Sequence, residues 1–562
     1  MPIINTVIQG GGTTPTGTKS ITANGIYDVT NFASADVQVP TTAPAYYIEK
    51  TKDANGKATN NSSYLIDLSD FTDVGDYVFN CAYYGDTAIT GTVNFSSLTT
   101  ASGYNAMKQM FYNCTGLTGV TFSSLISLTG SGVCESMFQG ATNISTVSFP
   151  RLTTISGTYA CRYMFKGTNV VSLDLSSLEV IAASGVSACQ EMFSGCMYLQ
   201  AANLMSLTRI EGSADGMFNG DSNLSSFNLS SLTKVSGNYV CRSMFAGTVV
   251  TSVSLDSLEF VDGNSACRAM FSNCTALTSA DLSSLVWVKG QEGIAYMFSG
   301  CPNLVSVDIS HLAKIGTNKQ LSYMFNNCTS LTELRFNNLA YTAANMDTAF
   351  LGTLSGVTGC TVHFPAEWAT AMANYSNITN GLGGTNTTVL FDLPNVTTLD
   401  LSCIKEISIT ELFKDFAANN YFPNITSVDL SELTTVSGNT ACARMFSGCT
   451  AITSVDFSKL TTVSGYACLE SMFRGCTGLT GVNFPALTTI SMNNSFQYMF
   501  QNCTNLTSVS FPALTTVVNA AFLYMLDGVT GCTVHFPSNL SSYNFNCGGT
   551  NTTVLYDLPA TA

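Results

Sequence analysis

Apolar and short polar residues alternate along this chain in a block that keeps returning. Ser437–Leu460 reads SGNTACARMFSGCTAITSVDFSKL, and Ser464–Leu487 reads SGYACLESMFRGCTGLTGVNFPAL. A Met-Phe pair marks each block, at Met110, Met137, Met164, Met192, Met217, Met244, Met270, Met297 and Met324, then at Met445, Met472 and Met499. The spacing is about 27 residues, and a fixed period of about 20–50 residues is the signature of a solenoid. Within a block, Ile452, Val455 and Phe457 fall at positions one, four and six of a short run with small polar residues between. That pattern predicts a strand with its apolar positions pointing into the coil. Leu460 and Val463 make a second apolar rung, and Ser464-Gly465 predicts a turn. The segment from Ala467 to Phe473 has the spacing of one or two turns of helix or 3₁₀. No single block can bury its own apolar face, so stability rests on contacts between neighbours.

The strand pattern Leu-x-x-Val-x-Phe/Leu, the Pro or Ser after it, and the Met-Phe-x-x-Cys-Thr block resemble the BspA-like bacterial leucine-rich repeats. The resemblance covers roughly residues 75–560, with Met-Phe where that class usually has Ala-Phe. It implies a leucine-rich-repeat solenoid of about 15 coils, built of short parallel strands and roughly 70 Å long at about 4.8 Å per coil. The class is one of surface and adhesion proteins.

Three segments are expected. Residues 1–45 hold a Gly- and Thr-rich linker followed by a small β module, with a hairpin around Asn24-Gly25. Residues 46–394 hold the first array, ending in a cap-like module at 356–394. Residues 395–562 hold the second, ending in a similar cap at 528–562. The evidence for the caps is duplication: VTGCTVHFP at 357–365 and GGTNTTVLFDLP at 383–394 recur as VTGCTVHFP at 529–537 and GGTNTTVLYDLP at 548–559. The pattern leaves open whether the arrays form one rod or meet at a bend. Residues 21–39, ITANGIYDVTNFASADVQV, resemble the amino-terminal modules of structural and tail proteins of phages of gut bacteria. That resemblance implies attachment to other virion or tail proteins through this segment.

Composition narrows the function. Only 10% of residues are charged, against about 25% in an average protein, so the surface is mostly Ser, Thr, Asn and Gly. A net charge of −15 argues against nucleic acid and against anionic membranes. No run of 18 apolar residues predicts a membrane span. The start, MPIINTV, lacks the basic and apolar regions of an export signal, and the end, YDLPATA, lacks an anchor. Fourteen of the twenty cysteines align in two ladders. Cys114, Cys196, Cys274, Cys301, Cys328, Cys449, Cys476 and Cys503 lie four residues after the Met; Cys134, Cys161, Cys189, Cys241, Cys267 and Cys442 lie three before it. Such register predicts buried thiols rather than disulfides or zinc ligands.

Candidate chemistry is sparse. His363 and His535 repeat because their module repeats, and His311 has no recognisable partner pattern. No cofactor, metal or catalytic motif is expected, and a carbohydrate-active enzyme is the weakest reading. The fifth strand position should point outward, and it carries Asp174, Asp281, Asp308, Asp400, Asp429, Asp456 and Asn483. This stripe is the candidate binding surface, suited to the hydroxyls of a host-surface glycan or to a protein. Tyr163, Tyr296, Tyr323, Tyr498 and Tyr524, each preceding a Met, are expected as packing residues on the opposite edge. The preferred reading is a virion or tail-fibre component binding a host surface, assembled in host cytoplasm. The alternative is a bacterial cell-surface adhesin, and homo-oligomerisation stays open. In a thiol titration the native protein should expose few reactive groups and the denatured protein nearly all twenty; a majority of oxidised cysteines would refute buried thiols.

Overall fold

The computed structural model describes residues 89–182, 187–315, 319–339, 346–369 and 381–559 apart from 409, 412 and 418–423, together with parts of 74–87 and two short strands further upstream. The linker and most of the β module expected in residues 1–45 lie outside the described residues. Of that module only Tyr27–Asp28 is described, and it pairs in parallel with Ile48–Glu49; Asn24-Gly25 lies outside the described residues.

Each coil has three sides. The first is a short strand such as Ser279–Asp281, whose middle residue Ala280 is buried while its neighbours face out. The second is a shorter strand such as Val180–Ile181. Both kinds stack in parallel, in register, coil upon coil. The third side differs from the expected helical turn. It is a ribbon of successive β-turns, and helix among the described residues is confined to Met346–Ala349, the 3₁₀ turn Ser538–Leu540 and residues 368–369 and 381–382. Alternate N–H groups of the ribbon reach the next coil, as from Met107 to Val133 O (2.8 Å) and from Phe111 to Met137 O (2.8 Å). The N–H groups between them close turns, as from Met110 to Met107 O. This geometry needs a left-handed residue every fourth position. In the first stack the last such position is nearly always Gly or Asn, as at Asn113, Gly140, Gly167 and Gly195, the residues that tolerate it best. That is the residue preceding the Cys ladder. None of the described helices is long and apolar enough to cross a membrane.

The core is a pair of ladders. From Tyr83 through Phe111, Phe138, Phe165, Phe193, Phe218, Phe245, Phe271 and Phe298 to Phe325, each ring stacks on the next with centroids 5.1–5.9 Å apart and planes within 12°. The cysteines four after the Met have a specific role: each thiol donates to a main-chain carbonyl one coil back, as from Cys301 to Phe271 O (3.2 Å) and Cys476 to Phe446 O (3.2 Å). All twenty cysteines are free, and all but Cys81 and Cys403 are buried.

The second stack does not continue the first. The first ends at strands Thr361–Pro365 and Thr388–Leu393, and Thr398–Asp400 begins a separate sheet. The open end of the new stack, with Leu401, Ile404, Phe413 and Phe416, packs against the flank of the first, burying Phe260, Val286, Trp287 and Ala313 in one core. Phe413 meets Phe260 edge-on at 4.5 Å, and Phe416 meets Trp287 at 5.1 Å. The Lys314 ammonium donates to Phe416 O and lies 4.8 Å from the Trp287 ring. Tandem coils explain this docking: a stack leaves an apolar cross-section at its end that something must cover.

One core residue violates the ladder logic. Asp221 occupies the column of Thr168, Cys196 and Thr248, is fully buried, and has one carboxyl oxygen without a partner. The other accepts the Cys196 N–H at 2.8 Å. Burial pushes its pKa up to about 9, far above about 3.9 in the unfolded chain. The native state therefore holds the extra proton, and stability falls as pH rises from about 4 to about 9. Asp221→Thr should stabilise the protein by about 1–3 kcal/mol at pH 7 and flatten that slope, measured by denaturant unfolding across pH.

Candidate functional site

The outward stripe forms as a set of turn-makers. In strands of the first side that end in Asp, the carboxylate accepts the N–H two residues on: Asp174 from Ser176 (2.9 Å), Asp281 from Ser283 (2.8 Å), Asp308 from Ser310 (2.9 Å), Asp429 from Ser431 (2.9 Å) and Asp456 from Ser458 (2.7 Å). This Asx-turn bends the chain from the first side of the coil to the second. It leaves the second oxygen of each carboxylate facing out. Asn483 uses its amide oxygen differently, accepting the Ser510 hydroxyl at 2.6 Å.

Two shallow grooves lie on this face. One, about 870 Å³, is walled by Ser279, Asp281, Ser306, Asp308 and Arg335. The other, about 550 Å³, is walled by Ser427, Asp429, Ser454, Asp456 and Asn483. Strict register aligns Ser279 with Ser306 and Asp281 with Asp308, and Ser427 with Ser454 and Asp429 with Asp456. Each groove thus presents a column of hydroxyls beside a column of acceptors. Asp174 lies outside both grooves. Among the described residues no group of three or more His, Cys, Asp or Glu is arranged to hold a metal ion.

Asp400 corrects the expectation of a uniform stripe. It makes the same turn, with Ser402 N–H at 3.0 Å, but it is committed to the junction between the stacks. His311 Nε2 lies 3.4 Å from its carboxylate, and Asn338 Nδ2 donates to its carbonyl at 3.1 Å. His311 Nδ1 is 2.6 Å from Ser283 O. Acceptors at both nitrogens favour the imidazolium: the hydrogen bond to Asp400 raises the His311 pKa, and His311 in turn holds Asp400 well below the usual carboxylate range. No spacing rule could pair residues 89 positions apart in different arrays.

The other two histidines also gain partners. His363 Nδ1 is 2.8 Å from Asp392, and His535 Nδ1 is 3.0 Å from Asp557. The two ends of the duplicated module therefore pair across adjacent parallel strands. Repetition of His and Asp together was the signal available in the sequence. The tyrosines before the Met pack in part as expected: Tyr296 stacks on Tyr323 at 5.0 Å, and the Arg268 guanidinium sits 4.6 Å over Tyr296.

The feature that sequence reasoning missed is the docking flank. The outward position of the second strand is Thr or Ser at Thr100, Ser127 and Thr154, and again at Thr435, Thr462, Thr489 and Thr516. In five consecutive coils between, it is Arg209, Lys234, Phe260, Trp287 and Lys314, aligned in register. Two large aromatics in a column elsewhere made mostly of Thr, Ser and charged residues were the visible sign of a covered surface.

The sequence profile of the BspA-type leucine-rich repeat region matches in six copies, over residues 79–168, 105–244, 162–278, 242–353 and 402–547. The chain belongs to this family. No curated protein sequence matches it. Among solved structures, this BspA-type repeat protein is similar to a leucine-rich repeat protein from Bacteroides ovatus, at 16% identity over 83% of this chain and 94% of that one, with a TM-score of 0.28. A leucine-rich repeat protein from Eubacterium ventriosum gives 14% identity over 83% and 90%, with a TM-score of 0.25. The pneumococcal vaccine antigen PcpA gives 12% identity over 90% and 91%, with a TM-score of 0.20.

The His311–Asp400 pair gives the junction a pH window. The histidine's contribution is full below about 6.5 and is lost as pH rises through its raised pKa; the aspartate's is full above about 3.9 and is lost as pH falls through its depressed one. Coupling is complete between those limits. With Asp400 nearly half exposed, the pair contributes about 1 kcal/mol or less after screening. Hydrogen exchange over residues 396–417 should therefore quicken by several-fold between pH 6 and pH 9 beyond the intrinsic rate change, and His311→Asn should abolish that excess.

Proposed function

We propose that this protein is a non-enzymatic recognition component whose strand face binds a glycan or protein on a host cell surface, with residues 1–45 attaching it to a virion or tail. The observation that carries the recognition reading is the pair of grooves, each lined by in-register Ser and Asp columns. Carboxylate oxygens left over from the turns accept hydrogen bonds from ligand hydroxyls or peptide N–H groups, and repeated rungs add many weak contacts over one long surface. Membership of the BspA-type family supports an interaction role and fits a bacterial cell-surface adhesin equally well. The virion reading rests on the resemblance of residues 21–39 alone.

The two halves of this proposal separate experimentally. Asp429→Asn with Asp456→Asn keeps the turn acceptor and removes the charge, so the fold should be unchanged by thermal melting. Binding to host cells should weaken at least tenfold. The Ala versions should in addition lose about 1 kcal/mol each through the missing turn bond. Deleting residues 1–40 should leave a folded protein that binds cells but is no longer incorporated into particles. Undiminished cell binding by the double Asn variant would refute the strand face; incorporation of the truncated chain would refute the attachment role.

A further inference from the structure

The docking of the second stack leaves a cleft of about 570 Å³ beside it, lined by Arg209, Lys234 and Glu259 from the flank and by Lys405 and Glu406 from the docked coil. Lys234 is the unexplained residue. It is 7% exposed, and among the described residues no hydrogen bond or ion pair holds its ammonium; burial pushes its pKa down, against the more distant Glu211 and Asp262. Elsewhere in the repeats cations are paired between coils, as Arg242 is with Asp215 (2.8 Å) and Arg444 with Asp415 (2.7 Å). Lys314, two coils beyond Phe260 in the same column, finds the Phe416 carbonyl. The Lys234 stem is buried while its ammonium ends at the wall of the open cleft, free to meet a ligand there.

The surroundings define what would satisfy it. Arg209, one coil away in register, is spanned only loosely by Glu211 at 3.6 Å and keeps most of its donors free. The hydroxyls of Thr208 and Thr233 already donate to main-chain carbonyls at 3.1 Å each, so their oxygens remain as acceptors. Burial and the neighbouring Glu406 raise the Glu259 pKa to about 8, which favours its protonated, hydrogen-bond-donating form near neutral pH. Glu211 and Asp262 beside this pair, with Asp256 and Glu406 on the cleft wall, already offset much of the positive charge of Arg209, Lys234 and Lys405. That balance suits a single negative charge and penalises a dianion. The volume lies within the range of small-ligand sites, about 300–1,000 Å³.

We propose that this cleft binds a sugar acid of the uronic-acid type, its carboxylate on Lys234 and Arg209 and its hydroxyls on Thr208, Thr233 and Glu259. The site is distinct from the strand face and does not depend on the function assigned there.

The test is calorimetric titration of the full chain with sodium glucuronate at pH 7, beside glucose and inorganic phosphate. Glucuronate should bind one to one, with glucose and phosphate each at least tenfold weaker. Lys234→Met should lower affinity at least tenfold with a melting temperature near that of the wild type, since the ammonium gives up no partner within the chain. Arg209→Gln, at a more exposed position, should lower it several-fold, and it decides the matter if the Met variant does not fold. Asp429→Asn with Asp456→Asn should bind glucuronate as the wild type does. No binding of glucuronate, equal binding of glucose or phosphate, or wild-type affinity in Arg209→Gln would overturn the proposal.

Discussion

The constraint on which this molecule depends is the distance between coils. Parallel strands repeat at about 4.8 Å, and flat aromatic rings stack at a comparable separation when slightly offset. The ladder from Tyr83 to Phe325, at 5.1–5.9 Å per step, satisfies both at once. With that spacing fixed, each sequence position becomes a column, and a residue's nearest neighbours are copies of itself. The glycines and asparagines of the turn ribbon, the thiols that reach one coil back, and the ion pairs between adjacent coils all follow from it. Coils of 25–29 residues are tolerated because the extra residues enter the turns, not the strands.

A column architecture makes fold and surface share residues. Asp281, Asp308, Asp429 and Asp456 shape the corner with one oxygen and face the groove with the other. An outward polar stripe in a repeat protein is therefore not free to be any ligand surface. Where the position is Asp, the same residue also closes the turn, and a Ser whose N–H it accepts follows two positions later. Substitutions meant to probe binding at such positions must preserve the acceptor.

The junction is where repetition stops. The end of the second stack needs an apolar partner, and the flank of the first supplies Phe260 and Trp287 in place of two of the threonines. Once two stacks meet, residues acquire neighbours that are not their own copies. His311 meets Asp400, Glu259 faces Glu406, and Lys234 is left beside an open cleft. Asymmetric chemistry in this chain is concentrated there for that reason.

The chain's own order of residues determined the coil. The Met-Phe spacing, the inward Leu, Val and Phe positions, the cysteine ladders and the outward place of the stripe were all legible, because each depends on contacts between a residue and its counterpart about 27 positions away. The helical turn was misjudged at Ala467–Phe473, since stacked β-turns and short helices bring Ala and Phe inward at similar spacing; the backbone ladder between coils is what favours the turns. Asp400 was read as one stripe residue among others, and His311 as a histidine without a partner. Only the docking of the two stacks brought them together, because burial of Phe413 and Phe416 against Phe260 and Trp287 is an event between distant coils that no local period encodes.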